Sequence, residues 1–329
     1  MKHNNYRFSF LTAIFFIFTL IFTSSVRAEL KVVTTIKPLH SLITNVMEGV
    51  GEPTLIIEGS TSPHSFNLKP SHAKLLEEAN IIFWIGEGLE TFMEKPLESI
   101  VKDAEVISFM EMDSINKLKF REENIFESHD EDSHDDHDED SHDDHDEDSH
   151  DDHDEYQGHA AHGDFDAHIW LDPRNAKVMV HEIAHTLSDL DPANEELYNV
   201  NANKTILAID DLIKIINQSI NKEARFVVFH DAYQYFEQRF GITSAGALTL
   251  NTDALPGAKQ IFEIQNMIKE KSINCIFSEP QFNPKIIETI AKDTDIKYDV
   301  FDPLGANINS DKSLYFTLIN NLSKKLRSC

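Results

Sequence analysis

Short apolar runs alternate with amphipathic stretches in two parts of the chain, and a long stretch of helical spacing separates them. In the first part, β-rich runs fall at Lys31–Ile36, Thr54–Ile57, Ile81–Ile85 and Val106–Phe109. Pro38 suits the first turn of a helix reaching about Val50, and helical spacing recurs over Pro70–Ala79 and Thr91–Ile100. From Ala176 to about Ile220 the spacing is helical throughout, broken near Asp191-Pro192. The alternation then resumes. Strands are expected at Phe226–Phe229, Ile242–Ala245, Cys275–Phe277 and Ile296–Phe301. Helices are expected over Tyr233–Phe240, Pro256–Lys271, Pro284–Ala291 and from about Lys312. Strands alternating with helices imply parallel βαβ units. The pattern therefore predicts an α/β fold of two lobes facing each other, connected and braced by the long helical region.

Two segments lie outside this pattern. At the N-terminus, Lys2 and Arg7 precede an apolar run from Phe8 to Phe22, and Val26-Arg27-Ala28 offers small residues. This reads as an export signal over residues 1–28, cleaved after Ala28. The run is shorter than the roughly 20 residues of a spanning helix, which argues against an uncleaved anchor. No cysteine near Ala28 could take a lipid, so the expected location is free in a periplasm. The second segment is an octad repeat, His-Asp-Glu-Asp-Ser-His-Asp-Asp, over residues 129–155. It has no apolar residue to bury and is expected to be disordered, within an insert of about 128–163.

The repeat changes how the composition is read. The net charge is −28, and 17 acids with no Lys or Arg sit in His129–Glu155, so most of the excess is local. An acidic surface excludes nucleic acid as a partner, because phosphate binding needs basic residues. Neutral imidazoles among carboxylates suit divalent cations. His129, His134, His137, His142, His145, His150 and His153, with His159 and His162 just beyond, form a candidate accessory metal segment of modest affinity. The bland alternative is a solvated charge run. Cys275 and Cys329 are the only cysteines. In an oxidising compartment they allow one disulfide or two separate thiols, and without CxxC spacing they are poor zinc candidates.

Four further residues are candidate metal ligands. His64 sits in Ser62-Pro63-His64-Ser65-Phe66, His168 in Asp166-Ala167-His168-Ile169-Trp170, His230 after Phe226–Phe229, and Asp302 after Val300-Phe301. Ligands in open α/β sheets bind beyond the carboxyl ends of strands, and three imidazoles with a carboxylate suit zinc. Singly, each has an ordinary reading: a solvated loop histidine, core histidines, a turn-forming aspartate. His181-Glu182-Ile183-Ala184-His185 matches the H-E-x-x-H of metallopeptidases. Its histidines fall opposite the apolar stripe of Ala176, Met179, Val180, Ile183, Ala184, Leu187 and Leu190, so a solvent-facing pair is expected. No Walker A or G-x-S-x-G motif suggests a nucleotide or a serine nucleophile.

Across essentially the whole mature chain these motifs resemble the periplasmic zinc-binding proteins of bacterial high-affinity zinc ABC importers, the ZnuA type. The carriers are Ile36-Lys37-Pro38-Leu39-His40-Ser41-Leu42, Ser62-Pro63-His64-Ser65-Phe66, the acidic His-rich loop, His168-Ile169-Trp170-Leu171-Asp172-Pro173, Phe229-His230-Asp231-Ala232-Tyr233-Gln234-Tyr235-Phe236, Ser278-Glu279-Pro280-Gln281-Phe282 and Asp302-Pro303-Leu304-Gly305. The resemblance implies two (βα)4-like lobes with parallel sheets joined by a long helix, with metal bound in the cleft between them. On this chain that reads as an N-terminal lobe over 29–173, a linking region over 174–192 and a C-terminal lobe over 193–329. It also implies Zn2+ as cargo, a membrane permease as partner, action as a monomer, no catalysis, and a Cys275–Cys329 disulfide. Manganese receptors of the same superfamily typically place Glu where His230 stands. Pro63 stands where some zinc-type relatives place a Glu, which leaves the fourth ligand open between Asp302, a water and Glu279. A zinc buffer and a periplasmic zinc hydrolase are the competing functional classes.

Overall fold

The computed structural model describes residues 30–126, 163–250, 256–294 and 296–329. The expected export signal and the octad repeat, with all its histidines and His159 and His162, lie outside the described residues.

Two four-stranded parallel sheets carry the fold. The first contains β1 (Val32–Thr34), β2 (Thr54–Leu55), β3 (Ile81–Trp84) and β4 (Glu105–Ser108), in the order β2-β1-β3-β4. The second contains β5 (Phe226–His230), β6 (Gly246–Thr249), β7 (Cys275–Ser278) and β8 (Lys297–Val300), in the equivalent order β6-β5-β7-β8. The strands β1, β3, β5, β6 and β7 are buried along their length. That is why they read as continuous apolar runs rather than alternations. The outer strands β4 and β8 are partly exposed and carry Glu105, Lys297 and Asp299, charges that discourage pairing with another chain.

The described helices are α1 (Lys37–Val46), α2 (Pro70–Glu78), α3 (Glu94–Ser99), α4 (Pro173–Leu190), α5 (Glu195–Ser219), α6 (Gln234–Phe240), α7 (Ala258–Glu270), α8 (Lys285–Thr294) and α9 (Leu314–Leu326). Helix α4 starts where the sequence dictates: Pro173 occupies its first turn and the Asp172 side chain accepts the Arg174 backbone N–H at 2.8 Å. Its buried stripe includes Ala176, Met179, Val180, Ile183, Ala184 and Leu187, while His181 and His185 are exposed. Leu190, expected on that stripe, is exposed at the helix end. Helix α5 packs against both α4 and α1. Asn201 on α5 donates to the carbonyls of Val46 and Glu48 at 3.0 and 2.8 Å, satisfying acceptors left over at the end of α1. The last helix, α9, returns to α1, where the Tyr315 N–H donates to Ser41 Oγ at 3.1 Å. Beyond α9, Cys329 is bonded to Cys275 at the start of β7, so the expected disulfide is present.

The strand expected at Ile242–Ala245 is displaced to Gly246–Thr249. Gly241 takes the left-handed conformation that ends α6, and the Ile242 N–H folds back to the Glu237 carbonyl at 3.1 Å, so Ile242 belongs to a helix cap rather than a strand. Pairing with β5 begins where the Ala245 N–H donates to the Phe226 carbonyl at 2.8 Å and Gly246 stands opposite Val227, and the 124–126 segment bridges to Gly246 as well. The Ala247 N–H donates to the Asn124 carbonyl at 2.9 Å, and a Cβ on Gly246 would lie 2.5 Å from that same oxygen. The residue that reads as a strand breaker is the one that lets the two backbones meet.

In both sheets the chain crosses to the other side after its second strand, which opens a crevice at the carboxyl ends of the two central strands. In the first sheet Glu90 fills this crevice. Its Oε2 accepts the N–H groups of Ile85 and Gly86 at 3.0 and 2.9 Å, and Oε1 accepts the Thr35 hydroxyl. Burial pushes the Glu90 carboxyl up to about 7, against the opposing hydrogen bonds. A folded-state value above the unfolded one means the folded chain holds a proton that the unfolded chain releases. The resulting stabilisation is complete below about pH 4.5 and is lost as pH rises through about 7. Gln keeps an acceptor for the two backbone N–H groups without ionising, and its amide N–H can donate to the Thr35 hydroxyl oxygen in place of the bond the carboxylate accepts. Denaturant titrations at pH 5 and pH 8 are expected to show the stability gap between wild type and Glu90→Gln shifting toward the variant by on the order of 2–3 kcal/mol. Parallel pH profiles would contradict this.

Candidate metal centre

The second crevice, between β5 and β7, is where the candidate ligands meet. His230 ends β5, and Glu279 directly follows β7. His64 arrives from the first lobe on a short turn, Pro63–Ser65, whose proline holds Ser62 extended. His168 caps the single turn Ile169–Leu171 that leads into α4. The side chains of His64, His168 and His230 each offer a nitrogen within 4.8 Å of the others. His168 and His230 are buried and His64 is half-buried. The rings are splayed by 52° to 84° rather than stacked, as convergence on one point requires.

The two buried imidazoles are held from behind. Asp166 Oδ1 lies 2.6 Å from His168 Nδ1 and also accepts the His168 backbone N–H at 3.0 Å. Glu279 Oε1 lies 2.6 Å from His230 Nδ1. Each carboxylate favours the tautomer with the proton on Nδ1, which leaves a bare lone pair on Nε2. Those Nε2 atoms face one another: His168 Nε2 is 3.3 Å from His230 Nε2 and 3.4 Å from His64 Nε2. Two lone pairs at that distance repel unless a proton or a metal ion lies between them. A tetrahedral centre with zinc–nitrogen bonds of about 2.0–2.1 Å sets its nitrogens about 3.3–3.4 Å apart. Two of the three pairs have that spacing, and all three nitrogens lie within 4.8 Å of one another.

The surroundings tune the charge. Burial opposes a charged His230, but Glu279, then Asp231 and Asp166, outweigh it, and its pKa rises above the ordinary value. A metal ion taken up here would have to displace that proton, so its affinity would fall in acid. Asp231 does not cap the following helix; it pairs with Arg121 at 2.7 Å, and Arg121 also holds Glu237 at 2.6 Å. Burial pushes Asp231 up to about 7 even beside that guanidinium. The far wall is fixed by Lys37, whose ammonium donates to the carbonyls of Gly305, Ala306 and Ile308 at 2.6, 3.1 and 2.6 Å. Trp170 Nε1 donates to the Pro303 carbonyl at 2.8 Å, tying the same turn to the His168 segment.

Asp302 stands outside the cluster of ring nitrogens. Its carboxylate accepts the N–H groups of Leu304 and Asn307 at 3.3 and 3.4 Å, organising the turn whose Pro303 and Leu304 line the pocket. His181 and His185 form no group of three metal-capable side chains among the described residues, and His185 instead neighbours Asp189 at 3.4 Å on the exposed face of α4.

Residues 32–329 match the sequence model of the ZnuA family, the periplasmic component A of the zinc-uptake complex. The chain belongs to this family. It is 45% identical over 303 residues to the high-affinity zinc uptake system protein ZnuA of Brucella abortus (strain 2308), covering 91% of each chain. It is 37% identical over 306 residues to the protein of the same name from Haemophilus ducreyi, covering 92% of this chain and 94% of that one. A crystal structure of ZnuA superposes with a TM-score of 0.70 at 19% identity, over 91% of this chain and 98% of that one. The periplasmic zinc binding protein TroA from Treponema pallidum gives 0.70 at 17%, over 92% and 99%. These two solved structures establish the shared architecture of two α/β lobes. The ZnuA family is one of solute-binding receptors.

Asp166 was visible in the sequence as a neighbour of His168 and Glu279 as a candidate fourth ligand, but nothing there assigned either to a ring nitrogen. An Asp two residues before a histidine is the available signal for the first. The second depends on β7 lying beside β5. In a ZnuA-family site built this way, Asp166→Asn and Glu279→Gln are expected to weaken zinc binding by about 10- to 100-fold each while the three rings remain. Competition titration against a chromophoric chelator measures this; unchanged affinity in both variants would remove the carboxylates from the site's design.

Proposed function

We propose that the chain captures Zn2+ in the periplasm with His64, His168 and His230 and delivers it to the membrane permease of an ABC importer. The observation that carries this reading is the set of mutually facing Nε2 atoms, two of them backed by buried carboxylates. Three imidazoles favour zinc over manganese on ligand softness. The fourth position is assigned to a water: Asp302 is engaged with its own turn, and Glu279 orients His230 through Oε1 and lies outside the cluster of ring nitrogens. One chain supplies all three rings, so a monomer suffices. Residues 1–28 direct export, and the mature protein reads as lobes 29–173 and 193–329 linked through 174–192. The octad repeat gathers zinc weakly nearby, and the protein performs no catalysis.

Growth in chelator-treated medium tests the whole reading. In cells deleted for their own copy, wild type is expected to restore growth and zinc uptake. A His168→Ala/His230→Ala variant, exported and folded, is expected not to. Rescue that persists when the permease is also deleted would point to buffering, and rescue by the double variant would contradict the assigned site.

A further inference from the structure

Two buried oxygens of residues lining the zinc pocket lack a hydrogen-bond partner among the described residues: Glu279 Oε2, on the carboxylate whose Oε1 holds His230, and Gln281 Oε1, which the ligand set does not explain. Gln281 lines the same pocket as the three histidines. Apart from the histidines, Glu279 and Ser62, the walls are apolar or already satisfied: Pro63, Trp170, Phe282, Pro303 and Leu304. Leaving a buried carbonyl unpaired costs about 1–3 kcal/mol, so it is kept only where something answers it.

The backbone that carries this amide is held in place. It lies in the tight turn after β7, where the Phe282 N–H donates to the Glu279 carbonyl at 3.1 Å. Phe282 stacks on Phe229 with ring centroids 4.3 Å apart and meets His230 edge-on at 5.8 Å. Gln281 therefore sits between one residue that orients His230 and another that packs on it.

We propose that Gln281 is a positioning residue for the fourth coordination position of bound zinc, its Oε1 accepting a hydrogen bond from the water that completes the tetrahedron. This rests on the assignment of the three histidines made above. A water on Zn2+ spends a lone pair on the metal and becomes a strong donor, which is the partner a buried acceptor needs. A neutral amide oxygen suits this role better than direct ligation, since carbonyl ligands favour harder ions than zinc. Sequence reasoning passed over Gln281 because a turn glutamine after a strand carries no signal of its own.

The test uses Gln281→Leu and Gln281→Glu beside wild type and His168→Ala. Zinc affinity is read by competition titration, metal-free stability by thermal melting, and coordination by the visible absorption of the Co2+ form. Gln281→Leu is expected to bind zinc about fivefold to tenfold more weakly, at most about 1.4 kcal/mol. Its metal-free protein should melt no lower than wild type, because an unanswered acceptor has been removed, and its cobalt bands should shift. Gln281→Glu, which keeps an acceptor, should retain wild-type zinc affinity or exceed it. Zinc affinity within twofold of wild type with superimposable cobalt spectra in Gln281→Leu would overturn the proposal, as would equal losses in both variants. If wild-type binding proved indifferent to His168→Ala, the histidine assignment itself would fall instead.

Discussion

Replacing His230 with alanine is expected to weaken zinc binding by about 100-fold or more, ~2.8 kcal/mol, and to destabilise the metal-free protein as well. The two losses have separate causes. Zinc would lose one of three nitrogens that the fold brings within 4.8 Å of one another. Independently, Glu279 loses the ring 2.6 Å from its Oε1 while remaining buried. Breaking a buried pair by removing one partner costs about 3–5 kcal/mol, because the remaining charge is left without compensation. His64→Ala should lose zinc affinity with a much smaller change in metal-free stability, since that ring is half-exposed on a short turn. Calorimetric zinc titration and denaturant unfolding in chelator separate the two effects. A His230→Ala protein with wild-type stability and wild-type zinc affinity would defeat the description of the site.

The second large effect is expected from the disulfide. Cys275 and Cys329 are 54 residues apart in sequence, and the bridge ties the end of α9 to β7. Closing a loop of that size restricts the unfolded chain by about 4 kcal/mol on the chain-entropy estimate. The double change Cys275→Ser/Cys329→Ser should therefore lower stability by roughly 2–5 kcal/mol. The metal site should respond less, because neither sulfur touches a ligand; the coupling runs only through β7, whose far end leads to Glu279. Melting curves with and without reductant, paired with zinc titrations of the double variant, measure both. Equal stability of reduced and oxidised protein would show that the bridge is dispensable.

The two sheets were legible in the sequence because their central strands are buried on both faces and so appear as unbroken apolar runs: Ile81–Trp84, Phe226–His230 and Cys275–Ser278 are clear examples. The helical stripe of α4 was equally plain, and it correctly put His181 and His185 on the exposed face. The sixth strand was misplaced because apolar character alone does not distinguish a cap from a strand. Ile242 is buried at the end of α6, whereas Gly246, which reads as a strand breaker, stands opposite Val227 of β5 and lets the 124–126 segment approach. The same limit applied at the site. Three histidines at motif positions were found, and the fold brings their nitrogens together. What holds them was hidden. Glu279 reaches His230 across 49 positions, Arg121 reaches Asp231 across 110, and Lys37 reaches Gly305 across 268. Such contacts leave no local period to read. Glu90 was missed for a related reason: one glutamate in a polar stretch looks solvated until Thr35 and the β3 terminus close over it.

The most direct measurement is a crystal structure of the zinc-loaded mature protein, with the octad repeat deleted and anomalous data collected at the zinc edge. One zinc peak is expected about 2.0–2.1 Å from Nε2 of each of His64, His168 and His230, with Asp166 and Glu279 still on the Nδ1 atoms. A tightly bound zinc located elsewhere, or bound at this site without contact to all three rings, would contradict the account.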